Sequence, residues 1–148
     1  MATSGYDAAI PATHLIEDTT EATGRGVILI RRLVRINMGL VALQPLSAGL
    51  FLSGYERAVT VHSGVAAALL LGALVQLITA SLMWRRRRVP AWIGGVSIGL
   101  FVIVLAQMAL GINKLYWLHV PVGVGMFGWL TRLSIKLDAP SPVSGAQS

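Results

Sequence analysis

Two histidines inside apolar stretches are the residues of this sequence best suited to do chemistry. His62 is followed by Ser-Gly-Val-Ala-Ala-Ala, and His119 lies between Leu115-Tyr-Trp-Leu and Val-Pro-Val-Gly123. An ionisable side chain is costly to bury in an apolar environment, so each of the two is a candidate functional residue. A neutral imidazole can ligate a metal, or it can hydrogen-bond a neighbouring helix. His14 lies in a polar stretch and is predicted to be a solvated residue.

The composition predicts an integral membrane protein. Of the 148 residues, 55% are apolar and 12% are charged, whereas soluble domains carry about 25% charged residues. The mean hydropathy is +0.71, and several apolar runs exceed the ~18 residues that mark a membrane-spanning helix. The sequence contains no cysteine, which excludes disulfides, thiolate ligands and cysteine redox chemistry.

The apolar runs predict four spans with two tight connections between them, and hence an all-α fold, an integral membrane four-helix bundle. The predicted transmembrane domain covers residues 25–137, with spans at about 36–54, 58–84, 90–111 and 115–135. Residues 1–24 hold four of the six acids and are predicted to form a flexible tail. Residues 138–148, rich in Pro and Ser, are predicted to be disordered.

The distribution of cations predicts the orientation of the spans. Ten of the twelve lysines and arginines fall before span one, after span two or after span four, and only Arg57 and Lys114 fall on the other side. By the positive-inside rule, both termini are cytoplasmic. Because the cations cluster at the ends of apolar runs, the expected partner is the lipid bilayer and not a nucleic acid.

The two hairpins repeat one pattern of polar residues. The first half carries Gln44, Arg57 and His62 in that order, and the second carries Gln107, Lys114 and His119. Arg57 and Lys114 are the two cations on the outer, non-cytoplasmic side. Each histidine lies five residues after one of these outer cations, about 7 Å along a helix, so both are expected at the same depth near the outer face. The repeat is approximate, because 18 residues separate glutamine from histidine in the first half and 12 in the second.

Matched histidines on opposite helices predict a haem site. Two neutral imidazoles at equal depth can ligate one haem iron from both faces, and the small residues after each histidine would leave room for the ring. Outer cations suit the haem propionates. The predicted site comprises His62 and His119 as metal ligands, with Arg57, Lys114, Gln44, Gln107 and Gly123 around the cofactor. For the two glutamines, hydrogen bonding between helices is favoured over contact with the cofactor.

The segments Gln107-Met-Ala-Leu110-Gly111 and Leu118-His119 resemble the heme A synthase family. Members of that family consist of two four-helix halves, each with one histidine on its second helix and one on its fourth. Over about residues 36–132 this chain is similar to a single half, with His62 and His119 in the two ligand places. The resemblance implies one haem b in a multi-pass protein of the bacterial plasma membrane.

The sequence departs from that family at the positions that carry its oxidative chemistry. Val59 stands where the oxidising half has a glutamate, and Ser63 follows His62 where an arginine is common. The cysteine pair that many bacterial members have in an outer loop is absent. The resemblance therefore supports the fold and the haem b, and it argues against oxygenase activity.

These observations predict a bis-histidine haem-b protein in electron transfer or haem handling, with a periplasmic or quinone redox partner. Filled axial positions leave no open iron site for oxygen. One alternative is a cofactor-free accessory subunit of a membrane complex. Another is a minimal haem-modifying enzyme, which the sequence favours less because Glu56 is the one acid near either histidine. The sequence does not distinguish a homodimer from a larger complex.

Overall fold

Four α-helices make up most of the chain that the structure describes. The structure is a computed structural model that describes the backbone of residues 12–139 and the side chains of residues 24–139. The helices are α1 (Ala12–Leu52), α2 (Ala58–Arg85), α3 (Ala91–Ile112) and α4 (Tyr116–Asp138). No β-strand occurs in this range. The prediction of an all-α, four-helix fold is confirmed.

The helices form a square in which each one runs antiparallel to the next. Each helix packs against its neighbours in sequence and α1 also packs against α4, while the diagonal pairs of described helices make no contact between their backbones. The α1–α2 and α3–α4 turns therefore share one end of the bundle, which we call the turn end. The α2–α3 turn and the end of α4 share the other end, which we call the arginine end. The diagonal pair α2 and α4 carries the two histidines.

All three turns end the preceding helix by the same hydrogen-bonding pattern. A residue with left-handed backbone follows each helix: Gly54 (φ 93°), Arg87 (φ 54°) and Lys114 (φ 57°). In each case the next N–H reaches a carbonyl five residues back, as the N–H of Arg88 does to Met83. This is the Schellman closure, in which glycine is the favoured left-handed residue because a Cβ there costs roughly 1–2 kcal/mol. Arg87 and Lys114 are therefore held in a conformation unfavourable for their side chains.

A chain of buried polar side chains links three helices halfway along the bundle. Asn37 Nδ2 on α1 donates to Gln76 Oε1 on α2 at 2.9 Å, and Gln76 Nε2 donates to Ser97 Oγ on α3 at 3.3 Å. None of the three residues is more than 1% exposed. A buried polar group is costly unless it is hydrogen-bonded, so these bonds fix how the three helices are rotated about their axes. A Cβ at Gly72 would collide with Asn37 Oδ1, so the glycine is needed for this approach.

Ionic contacts join α1 to α4 at the arginine end. Arg31 Nε and Arg35 Nη2 each lie 2.9 Å from the carboxylate of Asp138, and Arg31 also donates to the carbonyl of Leu137. Lys136 Nζ lies 4.3 Å from the ring centre of Trp92 on α3. Asp138 is thus the last residue of α4 and ion-paired, whereas the sequence placed it at the start of a disordered tail.

The first helix begins earlier than the sequence predicted. Residues 12–24, predicted as a flexible tail, are helical and continue into the predicted span without a break. Residues 12–24 contain no proline, and the helical turns that follow them are packed, since Ile30 and Val34 are buried. Packing of one face stabilises a helix, so these turns favour helix in the residues before them. Residues 1–11 and 140–148 of the predicted tails lie outside the described range.

Of the four predicted spans, two meet a length and hydropathy criterion for crossing a membrane. They are α2, with 28 residues, and α3, with 22, each with a hydropathy of 2.2 over its most apolar window. The apolar part of α1 is interrupted by Asn37, Gln44 and Pro45, and that of α4 by His119 and several glycines.

Candidate functional site

The structure brings His62 and His119 together near the turn end. His62 lies in the second turn of α2 and His119 in the first turn of α4. Their ring centres are 6.2 Å apart and the ring planes are inclined by 58°. Both residues are half-buried. Because α2 and α4 are diagonal in the square, the two rings meet across the centre of the bundle.

Reciprocal hydrogen bonds between α3 and α4 fix His119. Its Nδ1 lies 3.0 Å from the backbone carbonyl oxygen of Gln107, and Gln107 Nε2 donates to the carbonyl of His119 at 3.0 Å. A carbonyl oxygen only accepts, so Nδ1 carries the ring hydrogen. The Nε2 atom of His119 then holds the lone pair, which is the form of imidazole that ligates metals.

His62 is held in the same tautomer from α1. Its Nδ1 lies 3.3 Å from the backbone carbonyl oxygen of Gln44 and 3.1 Å from Ser47 Oγ. The Ser47 hydroxyl donates to the helix carbonyls of Leu43 or Gln44, 3.1 and 2.9 Å away, which leaves its oxygen free to accept from Nδ1. The Nε2 atom of His62 therefore also presents a lone pair.

Both hairpins make the same contact to the histidine ring, and in both it is made by a backbone carbonyl. In each, the histidine Nδ1 is paired with the main-chain carbonyl of the glutamine on the preceding helix. The sequence paired each glutamine with a histidine in the repeat and predicted either cofactor binding or hydrogen bonding between helices for the glutamines, but it did not predict a contact through their backbone. Ser47 has no counterpart, because Leu110 stands three residues after Gln107. Its hydroxyl is a contact to His62 that the sequence prediction missed.

The side chains of the two glutamines each carry a buried acceptor. The Oε1 atoms of Gln44 and Gln107 are buried and have no hydrogen-bond partner among the described residues. Gln107 is 7% exposed, and the bond from its Nε2 to the His119 carbonyl sets which way its amide faces. As buried acceptors are normally paired, both oxygens are available to a donor from a bound molecule or water.

Two glycines give the histidine pair its space. A Cβ at Gly111 would lie 3.3 Å from Cε1 of the His119 ring. A Cβ at Gly123 would lie 2.9 Å from Gln107 Nε2, closer than atoms in contact approach. The sequence predicted that Gly123 makes room for a cofactor, but in the structure it makes room for the Gln107 amide. A Cβ added at Gly64 or at Gly125 would meet no atom within 4 Å.

The two outer cations lie in the turns of the turn end. Arg57 is the residue before α2, and Lys114 lies between α3 and α4. Both are exposed, and neither has an ion pair within the described part of the chain. Both charges are therefore available to an anionic group at this end. Glu56 is exposed as well.

Pro121 lies inside α4, whose first residue is Tyr116. His119 is therefore helical, and its N–H bonds to the carbonyl of Leu115 at 2.9 Å. Pro121 has no N–H, so the carbonyl of Trp117 loses its helical partner.

Among the described side chains, no group of three or more His, Asp or Glu residues could hold a metal ion together. A metal at the histidine pair would therefore have two ligands of these residue types, and a cofactor or solvent would supply the others. Comparison of the chain with protein-family models, with curated proteins and with solved structures finds no match. The resemblance to the heme A synthase family stays a prediction that rests on the residues quoted for it.

Proposed function

We propose that this protein is a multi-pass membrane protein that binds one haem b between His62 and His119 and acts in electron transfer or haem handling. The observation that carries the proposal is the histidine pair itself. Two imidazoles face one another across the bundle, and each has its Nδ1 hydrogen committed to a backbone carbonyl.

Membrane insertion is supported by the surface of α2 and α3. Only 22% and 33% of their most apolar windows are buried within the protein. Large side chains such as Leu71 (62% exposed), Val102 (57%) and Ile98 (53%) lie on the outside. A monomeric soluble protein rarely exposes so continuous an apolar surface. Exposed aromatic residues lie at both ends, Trp117 at the turn end and Trp84 at the arginine end, as at the two interfaces of a bilayer.

The spacing of the histidines fits a metal held between them. With about 2 Å from metal to nitrogen and about 1 Å from nitrogen to ring centre, two imidazoles on opposite sides of one metal have centres roughly 6 Å apart. The observed separation is 6.2 Å. The two rings would supply two ligands of the metal, and a haem would supply the others.

Each residue of the site has a defined part in holding the cofactor. His62 and His119 would hold the haem iron, and the Gln44 and Gln107 carbonyls would keep the Nδ1 hydrogens in place, as carbonyl partners of metal-ligating histidines do. Arg57 and Lys114 offer charge to the propionates. The chemistry that haem would supply when held by two histidines is single-electron transfer without oxygen binding.

The absorption spectrum of the purified protein tests the proposal. The protein is extracted in mild detergent, supplied with hemin, and measured oxidised and reduced. We expect a low-spin spectrum that His62→Ala and His119→Ala each abolish and that His14→Ala, the matched control, leaves intact. Because a lost ring leaves a space, free imidazole is expected to restore the low-spin spectrum of either variant.

An absence of Soret and α bands after added hemin would contradict haem binding. In that case the same hydrogen bonds would serve to pack α1 on α2 and α3 on α4. Stable co-purification with another membrane protein would then favour a cofactor-free accessory subunit, and an altered haem extracted from expressing cells would favour a haem-modifying enzyme.

A further inference from the structure

The turn between α2 and α3 carries positive charge that no acidic residue balances. The four consecutive arginines 85–88 are exposed, and no ion pair joins them to another residue in the described part of the chain. Some other cations of the arginine end have partners: Arg31 and Arg35 share Asp138, and Lys136 lies over Trp92. Arg32 and Arg132 are exposed and have no ion pair within the described range, but they are single charges on separate helices. The turn is where four unmatched charges are consecutive.

These arginines line two clefts with apolar walls. The larger, about 570 Å³, lies between three of the arginines and the apolar side chains of Trp84, Val89 and Pro90. The smaller, about 160 Å³, is lined by Arg86 and Arg88 and continues along α2 past Met83 and Leu82 to Thr79. Arg88 borders both clefts. A ligand that fits them has an anionic head and an apolar chain.

The backbone at the centre of the turn favours a functional role for the arginines. Arg87 holds the left-handed conformation, with φ of 54°, at the position where a Schellman closure normally has glycine. Its N–H bonds to the carbonyl of Trp84 at 2.9 Å. A side chain held in an unfavourable conformation, on the wall of a cleft, is a reason to look for a ligand there.

We propose that the two clefts together bind one anionic phospholipid. Its phosphate headgroup lies among the arginines, and its acyl chains lie against Trp84 and Leu82. Guanidinium groups pair with phosphate oxygens through two parallel hydrogen bonds, which a diffuse field of charge does not provide. The turn joins the two most apolar helices, so in a bilayer its arginines reach the headgroup layer. The inference rests on the proposed membrane insertion and is independent of haem.

Native mass spectrometry of the detergent-purified chain, titrated with phosphatidylglycerol or with phosphatidylcholine, tests the site. We expect selective retention of one phosphatidylglycerol. Each basic residue near an anionic lipid contributes about a fivefold change in affinity, so Arg87→Gln with Arg88→Gln is expected to weaken binding about 25-fold. The matched control is Arg32→Gln with Arg132→Gln, which removes two exposed arginines from the same end of the bundle and is expected to change binding less than threefold.

Three outcomes would overturn the proposal: equal retention of the two lipids, equal loss of affinity in both pairs of variants, or displacement of the lipid by millimolar inorganic phosphate, which would make the cleft a site for free anions. Circular dichroism checks that the variants are folded. If the double variant Arg87→Gln/Arg88→Gln unfolds, the two single variants replace it, and each is expected to weaken lipid binding about fivefold. Hemin binding, measured on the same samples, is expected to be unchanged, so failure of the haem proposal leaves the lipid result standing.

Discussion

Gly123→Ala tests whether the Gln107 amide holds His119 from the other helix. The new Cβ would lie 2.9 Å from Gln107 Nε2, so the amide must move. Gln107 is 7% exposed, and its Nε2 donates to the His119 carbonyl at 3.0 Å. A buried N–H that loses its acceptor costs about 1–3 kcal/mol, while alanine in place of glycine inside a helix gains about 0.5–1 kcal/mol. We therefore expect a net loss of about 1 kcal/mol in the free energy of unfolding.

The sign of this effect is expected to reverse when the amide is absent. In a Gln107→Ala background the new Cβ has space, so Gly123→Ala should stabilise the protein by about 0.5–1 kcal/mol through helix propensity alone. The two substitutions are thus coupled by about 2 kcal/mol, which a double-mutant cycle measures directly. Gly125→Ala is the matched control. It lies two residues further on in open space and is expected to stabilise both backgrounds equally.

Unfolding of the detergent-solubilised protein with sodium dodecyl sulfate, followed by circular dichroism, measures these free energies. If Gly123→Ala stabilised the protein in both backgrounds, the Gln107 amide could not lie against Gly123. If it destabilised both equally, the strain would come from another neighbour. Either result would refute the described packing of α3 on α4.

Three further changes probe other parts of the molecule. Ser47→Ala removes one of the two contacts of His62 Nδ1, so we expect about tenfold weaker hemin binding with the low-spin spectrum retained. Complete loss of that spectrum would mean that the Gln44 carbonyl does not hold the ring. Lys114→Gly removes the strain of a lysine with left-handed backbone and is expected to stabilise the fold by about 1 kcal/mol. It is also expected to weaken hemin retention, and unchanged retention would mean that Lys114 is not part of the site. Asp138→Asn breaks ion pairs that are partly exposed, so we expect a loss of about 0.5 kcal/mol that disappears in 1 M salt, and a loss insensitive to salt would contradict an ionic origin.

The meeting of the histidines could be predicted from sequence because depth along a helix follows from residue spacing. Each histidine lies five residues after the cation of its turn, and the rise per residue is constant in any α-helix. Short turns also determine which helices are antiparallel neighbours. The positions of His62 and His119 therefore depended on local quantities that the sequence contains, and the structure brings the two rings within contact.

The hydrogen bonds around the histidines could not be predicted, because they depend on how each helix is rotated. Sequence spacing identified Gln44 and Gln107, yet it is their backbone carbonyls that contact the rings. Gln76 donates to Ser97 on the neighbouring helix, although nothing in the sequence links these two residues. A rotation of a fraction of a turn would replace either contact, and that rotation follows from the packing of the entire bundle.

The boundaries of α1 and α4 also depended on tertiary contacts. The polar composition of residues 12–24 is typical of a flexible segment, but the adjoining turns are packed and the helix extends through it. Asp138 precedes a stretch rich in proline and serine, and its ion pairs with two arginines of α1 accompany its place at the end of α4. Composition alone contains no information about these partners.

A hemin titration of the wild-type protein beside the His62→Ala/His119→Ala double variant shows whether the two histidines hold a haem. We expect saturation at one hemin per wild-type chain, with a low-spin spectrum in both oxidation states, and no specific band in the double variant. Identical spectra from the two proteins, or no Soret shift in the wild type, would contradict a haem held between His62 and His119.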